Sequence, residues 1–314
     1  MNSILEFMGN LDRGFKYLME QQESGKALLV DSNFLAGPNT IRCPTRGIGD
    51  LYQRYESRRH LLGCDENKNP QKCVDIADMS IRETERYFSR LKDLLAGRCV
   101  YTVGQVVGEV GRTETSFIRY KALWGTGEKP RHARLSEKLS ELMNYQSAYA
   151  ARINGLVIEM GNRGRVLGPD NYRFWAQLQP VYNSLKDRKM EKHKKIQNAS
   201  ADSILVCAAT VNSIKDDRAT IILSGDKGVS ELVDSLFDLA ENGDFPIERQ
   251  SGPDETEFTK YEKQPYNILS SEQTSISVAY FDMQGWLKVP LNTSGMARRD
   301  PLLLTKWEKR REKS

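Results

Sequence analysis

Four acidic residues fall where an α/β protein does its chemistry. Asp31 ends the apolar run 27–30, and Asp226 follows the apolar run 220–223. Glu109 lies one to two turns into the helix expected after a second strand, and Asp202 sits in the first turn of a later helix. In a parallel sheet the carboxyl ends of the strands and the N-termini of the following helices share one edge, where ligands bind. Neighbouring strands would bring the four carboxylates together. Two carboxylates about 4 Å apart repel by roughly 4 kcal/mol at an effective dielectric near 20, so four cannot stay ionised without cations. Hard carboxylate oxygens suit Mg²⁺ or Mn²⁺. Two such ions can activate a water and stabilise the leaving oxygen of a phosphodiester. No histidine stands near these motifs, which disfavours zinc. Taken singly, each acid also has a plain structural role. Asp31 and Asp226 suit turns, Glu109 a solvated helix face, and Asp202 the positive end of a helix dipole. Their joint order carries the chemical reading.

The elements that must position these acids are legible as periodic segments. An amphipathic helix over 4–22 stops at Gly25 and leads into strand 27–30. Residues 36–78 read as a largely irregular stretch, long for a connection and placed over the site. It carries Arg42, Arg46, Arg54, Arg58 and Arg59 with Tyr52 and Tyr55 among them, a mixture that suits a nucleic-acid backbone and its bases or a solvated loop. A helix over 81–96 ends at Gly97, strand 99–103 follows, and Gly104 opens the helix that carries Glu109. A long helix spans 135–160, and a second helical stretch over 170–195 grows basic toward Lys192, Lys194 and Lys195. Ser200 is the expected N-cap of the helix that carries Asp202. Strand 220–224 and helix 229–240 come next, with Lys227 in the turn between them. Beyond Gly243, residues 275–282 alternate, and 285–291 can pair back on them as a hairpin.

Composition narrows the class without naming a partner. Charged residues make up 28% of 314, and mean hydropathy is −0.58. No apolar run reaches the roughly 18 residues that cross a bilayer. The start lacks the pattern of a signal peptide, so a cytoplasmic protein without a membrane partner is expected. Five scattered cysteines, with Cys64 and Cys73 the closest pair, read as reduced thiols. His60, His132 and His193 show no ligand spacing. A net charge of +4 is mildly basic, compatible with a polyanionic partner without requiring one.

The segments LLVDSNFL, VVGEV, ADSILVCAA and ILSGDKG, in that order, resemble the four acidic motifs of the PIN-domain nucleases. Asp31, Glu109, Asp202 and Asp226 stand at the family's acidic positions, Asn33 matches its Asn, and Ser224 its hydroxyl residue. The resemblance covers about 26–123 and 199–243. It implies a three-layer α/β/α sandwich around a parallel sheet, bound Mg²⁺ or Mn²⁺, and hydrolysis of RNA. It also implies pairing into a homodimer. Asn33 and Ser224 would orient ligands or the scissile phosphate. Arg54, Arg58, Arg59, Lys192, Lys194, Lys195 and Lys227 are the expected nucleic-acid contacts. The expected organisation is a nuclease domain over 1–247 with insertions at about 36–78 and 124–198, then a C-terminal extension over 248–314 with a β-hairpin and a basic tail. Glu109 and Asp202 lie farther apart than in small family members, which argues against a toxin and for a nucleic-acid-processing nuclease.

Two other readings stay open: a non-catalytic scaffold that binds nucleic acid or protein, and a flap-endonuclease-like enzyme. A haloacid-dehalogenase-type phosphatase fits poorly. It needs Asp two residues after Asp31, where Asn33 stands, and a late Asp where Ser230 stands.

Overall fold

A computed structural model of the protein describes residues 2–35, 51–126, 130–167, 199–215, 218–241, 276–282 and 285–288. In chain order the elements are α1 (Asn2–Glu23), β1 (Ala27–Val30), α2 (Ser32–Leu35), α3 (Leu51–Leu61), α4 (Pro70–Ala96), β2 (Val100–Val103), α5 (Gly104–Thr126) and α6 (Ala133–Asn162). Then come β3 (Val166–Leu167), α7 (Ala199–Lys215), β4 (Thr220–Leu223), α8 (Lys227–Glu241), β5 (Ile276–Phe281) and β6 (Leu287–Lys288).

The chain is α/β, with a central sheet of order β3-β2-β1-β4-β5-β6 flanked by helices. Neighbouring strands are parallel except the last pair, β5 and β6. β1 and β4 are buried at every position, which is why they read as unbroken apolar runs rather than alternating ones. From β1 the chain builds outward through β2 to β3, then returns to place β4 on the other side of β1. The order therefore switches between β1 and β4, and the carboxyl-end crevice of an open sheet lies at such a switch.

The expected hairpin forms, and its first strand joins the central sheet. β5 pairs in register along the whole of β4, Thr220 opposite Ile276 through Leu223 opposite Ala279, so it is the fifth strand of the same sheet. Alternation along 275–282 marks a strand but not its partner, and the partner lies more than fifty residues away. Gly285, at φ +76, makes the turn into β6, and a Cβ there would stand 2.7 Å from the Phe7 carbonyl oxygen. The turn is closed by the Gly285 amide donating to the Asp282 carbonyl at 3.0 Å.

Two cores hold the described residues. The larger packs helices against the sheet and includes Phe15, Phe34, Tyr87 and Phe281, four rings whose centroids lie 4.8–6.3 Å apart. The smaller joins Tyr55 of α3, Cys73, Ile76 and Ile81 of α4, and Leu135, Leu139 and Leu142 of α6. Helices α4 and α6 run through both cores, so their first halves form a helical arm with α3.

The arm corrects the expectation of an irregular 36–78. Its second part folds as α3 and the first turns of α4, and Pro70 opens α4 at a position whose missing N–H costs nothing. Tyr55 is not a platform for bases. Tyr55 is fully buried with its hydroxyl donating to Glu66 Oε1 at 3.0 Å, and Tyr52 packs on Trp124 at 5.5 Å between centroids. Ser200 lies inside α7 rather than capping it, since the helix begins at Ala199. His132 caps α6 by accepting from the Leu135 amide. Among the described cysteines, Cys64, Cys73, Cys99 and Cys207 are free thiols. Among the described residues no helix is long and apolar enough to cross a membrane. Residues 168–198, with His193, lie outside the described residues.

Candidate active site

Register sets the centre of the site. Val30 stands opposite Leu223, so Asp31 and Ser224 are the first residues beyond two neighbouring strands at the switch point. The Asp31 amide donates to the Leu223 carbonyl at 3.0 Å, and the Ser224 amide donates to the Ala279 carbonyl at 3.0 Å. Both residues are buried. Thr102 of β2 donates its hydroxyl to the Val30 carbonyl at 2.8 Å and fixes the last peptide of β1 from the other side. Behind Asp31, the single turn of α2 is held by two buried tyrosines: Tyr87 donates to the Phe34 carbonyl and Tyr149 to the Leu35 carbonyl. The strand end is therefore gripped by backbone pairing, a threonine and two phenols before any function is invoked.

Among the described residues, every hydrogen bond to the Asp31 carboxylate comes from a neutral donor. Ser224 Oγ donates to Oδ2 at 2.7 Å, and the Ser32 amide donates to Oδ1 at 2.7 Å. Ser32 Oγ sits 3.4 Å from the same Oδ1 but donates its single proton to Glu109 Oε2 at 2.7 Å. One hydroxyl thus spans two carboxylates, one just past β1 and one on α5. Burial pushes the Asp31 carboxyl up to about 7; the Ser224 bond opposes this, the Asp202 charge adds to it, the Ser32 amide opposes it, and the Glu109 charge adds again. No described residue forms an ion pair with Asp31.

The structure thus brings Asp31, Glu109 and Asp202 into one electrostatic neighbourhood. Asp202 occupies the first turn of α7, as its sequence position requires. Asp226 is placed differently. Its exposed carboxylate accepts from the Gly228 amide at 2.7 Å and caps α8, while its own amide donates to Ser224 Oγ at 3.1 Å. It stands at the rim, linked to Asp31 through the Ser224 hydroxyl. Asn33 is half-buried, and its Oδ1 is buried without a hydrogen-bond partner among the described residues.

The expected nucleic-acid contacts fare unevenly. Arg58 turns inward to Glu83, 2.7 Å away. Arg59 is taken up by Glu56 at 2.6 Å and Glu66 at 3.6 Å. Neither presents a free guanidinium. Arg54 lies on α3 and Lys227 begins α8, with their side chains outside the described residues, as are Lys192, Lys194 and Lys195. Ser32 is the site residue that sequence reasoning passed over. Its signal was available, a hydroxyl directly after a strand-end acid, but only the fold shows that Glu109 is its partner.

All side chains gathered here offer oxygen, which fits a hard divalent cation in donor chemistry. The unpaired Asn33 oxygen adds a neutral oxygen donor of the same kind. Among the described residues no three His, Cys, Asp or Glu side chains are clustered closely enough to grip an ion where they now stand. No family model, curated protein or solved structure matches the chain. Fold and site alone define the class: an α/β protein with a cluster of acids at its topological switch point.

Proposed function

We propose that this chain is a divalent-metal-dependent nuclease that hydrolyses phosphodiester bonds in RNA. The supporting observation is Asp31: a buried carboxylate beside two further acids, with no cation facing it among the described residues. Strongly perturbed carboxyls of this kind mark functional sites. Bound there, Mg²⁺ or Mn²⁺ would neutralise the acids and supply a water acidic enough to attack phosphorus.

The chain's own residues do the rest. Ser224 and the Ser32 amide hold one Asp31 oxygen each, so the carboxylate cannot rotate. The Ser32 hydroxyl sets the Glu109 side chain relative to Asp31. Asp202 brings the third negative charge, and Asp226 offers its carboxylate from the rim. Asn33 supplies a neutral oxygen toward phosphate-bound water or cation. The resemblance to PIN-domain nucleases adds a homodimer and 5′-phosphate and 3′-hydroxyl products to the proposal, and the sequence composition adds a cytoplasmic location.

The capping role of Asp226 favours one second reading, a scaffold that binds nucleic acid without cutting it. One assay separates the two. End-labelled single-stranded RNA incubated with the full chain and Mn²⁺ or Mg²⁺ should be cleaved, EDTA should stop cleavage, and Asp31→Asn should abolish it. RNA that is bound but left intact under all conditions would establish the scaffold instead.

A further inference from the structure

The Ser32–Glu109 hydrogen bond ties the segment after β1 to one face of α5. Gln105 precedes Glu109 by four residues on that helix, so the two side chains belong to the same face. Gln105 Oε1 and Asn33 Oδ1 are both buried, and neither has a hydrogen-bond partner among the described residues. The short α2, which carries Asn33, packs against α5. Two unpaired carboxamide oxygens therefore sit on the two elements that the Ser32–Glu109 bond joins.

A buried acceptor without a donor is costly, and folded proteins keep few of them. The acids on the same two segments, Asp31 just before α2 and Glu109 on α5, are acceptors when ionised and supply no proton. Their charge selects a cation, and a small divalent cation gives up its water reluctantly. Water held by such an ion is a strong donor. A carboxamide oxygen can accept from it without adding to the negative charge already gathered at Asp31, Glu109 and Asp202.

We propose that Gln105, with Asn33, is a positioning residue that accepts hydrogen bonds from the water ligands of a divalent cation held at Asp31, Glu109 and Asp202. The inference rests on the metal-dependent reading above and deepens it, because Gln105 belongs to none of the acidic motifs.

The test is Mn²⁺ binding to the full chain, read by loss of the free-ion paramagnetic resonance signal. Solvent-proton relaxation then reports water on the bound ion and its exchange rate. Gln105→Met keeps the side-chain length and removes the acceptor, and Gln105→Glu restores one. The wild type should bind Mn²⁺ and retain exchangeable water on it. Gln105→Met should bind about tenfold more weakly and exchange its water faster, and Gln105→Glu should match or exceed the wild type. A folded Gln105→Met that matches the wild type in both affinity and exchange overturns the inference and leaves the nuclease reading standing. A wild type that leaves the free-ion signal unchanged removes both. Should the Met variant fail to fold, as judged by circular dichroism, the wild-type relaxation decides: retained water supports the inference, and a bound ion stripped of water overturns it.

Discussion

Asp31 at the sheet edge and Glu83 in the helical arm are equally buried, each 2% exposed, and their surroundings are opposite. Glu83 faces the Arg58 guanidinium at 2.7 Å across α3 and α4. The pair is close without being well aligned for a hydrogen bond, so charge attraction carries it. Asp31 faces hydroxyls, an amide and two more carboxylates. In the arm, a buried acid is compensated by the fold and fastens two helices together. In the crevice, a buried acid is surrounded by its own sign and left for something else to compensate. The contrast teaches how to tell a structural carboxylate from a functional one: burial is common to both, and the sign of the neighbours separates them.

The largest expected effect lies at Asp31. Folded, the carboxyl holds its proton to about pH 7; its ordinary value is 3.8. Its contribution to stability is therefore full below pH 3.8 and disappears as pH rises through about 7. The shift corresponds to a loss on the order of 4 kcal/mol across that window. Asp31→Asn carries no titrating group there, so urea unfolding at several pH values should show the wild type losing stability relative to the variant as pH rises. Curves that stay parallel would erase the distinction between the two acids.

A smaller effect of opposite sense is expected in the arm. Glu83→Gln leaves Arg58 buried without a counter-charge and should cost about 3 kcal/mol in denaturant unfolding at neutral pH. The titration of Asp31 should not change, because the described partner of Glu83 is Arg58. Smaller again is Tyr87→Phe, which strips the donor from the Phe34 carbonyl behind Asp31. Its expected cost is roughly 1–3 kcal/mol. Faster amide exchange at Asn33, Phe34 and Leu35 than in the wild type would locate the loss in α2.

The same contrast explains what the sequence made legible. β1 and β4 were readable because both are buried on two faces, which leaves continuous apolar runs ending in Asp31 and Ser224. Glu109 and Asp202 were readable from their distance past a strand end or a helix start. The arm was not, because α3 shows almost no aliphatic period. It is anchored by the aromatic Tyr55 and by charge pairs, one of which, Arg58 with Glu83, reaches another helix. Its arginines therefore looked like surface cations until Glu83, Glu56 and Glu66 were in place around them. Asp226 was legible as a strand-end acid, but its capping of α8 depends on the exact turn after Gly225. β5 was legible as a strand and not as a neighbour of β4, since strand pairing over that separation leaves no local signature.

The central claim is that the crevice leaves Asp31 uncompensated for a cation to bind. A carbon-13 titration of its carboxyl, first without and then with saturating Mg²⁺, tests it most directly. The account predicts a midpoint near 7 in the metal-free protein, and a fall into the ordinary carboxylate range when Mg²⁺ is added. A midpoint near the usual 3.8 without metal, or one that ignores Mg²⁺, would contradict it.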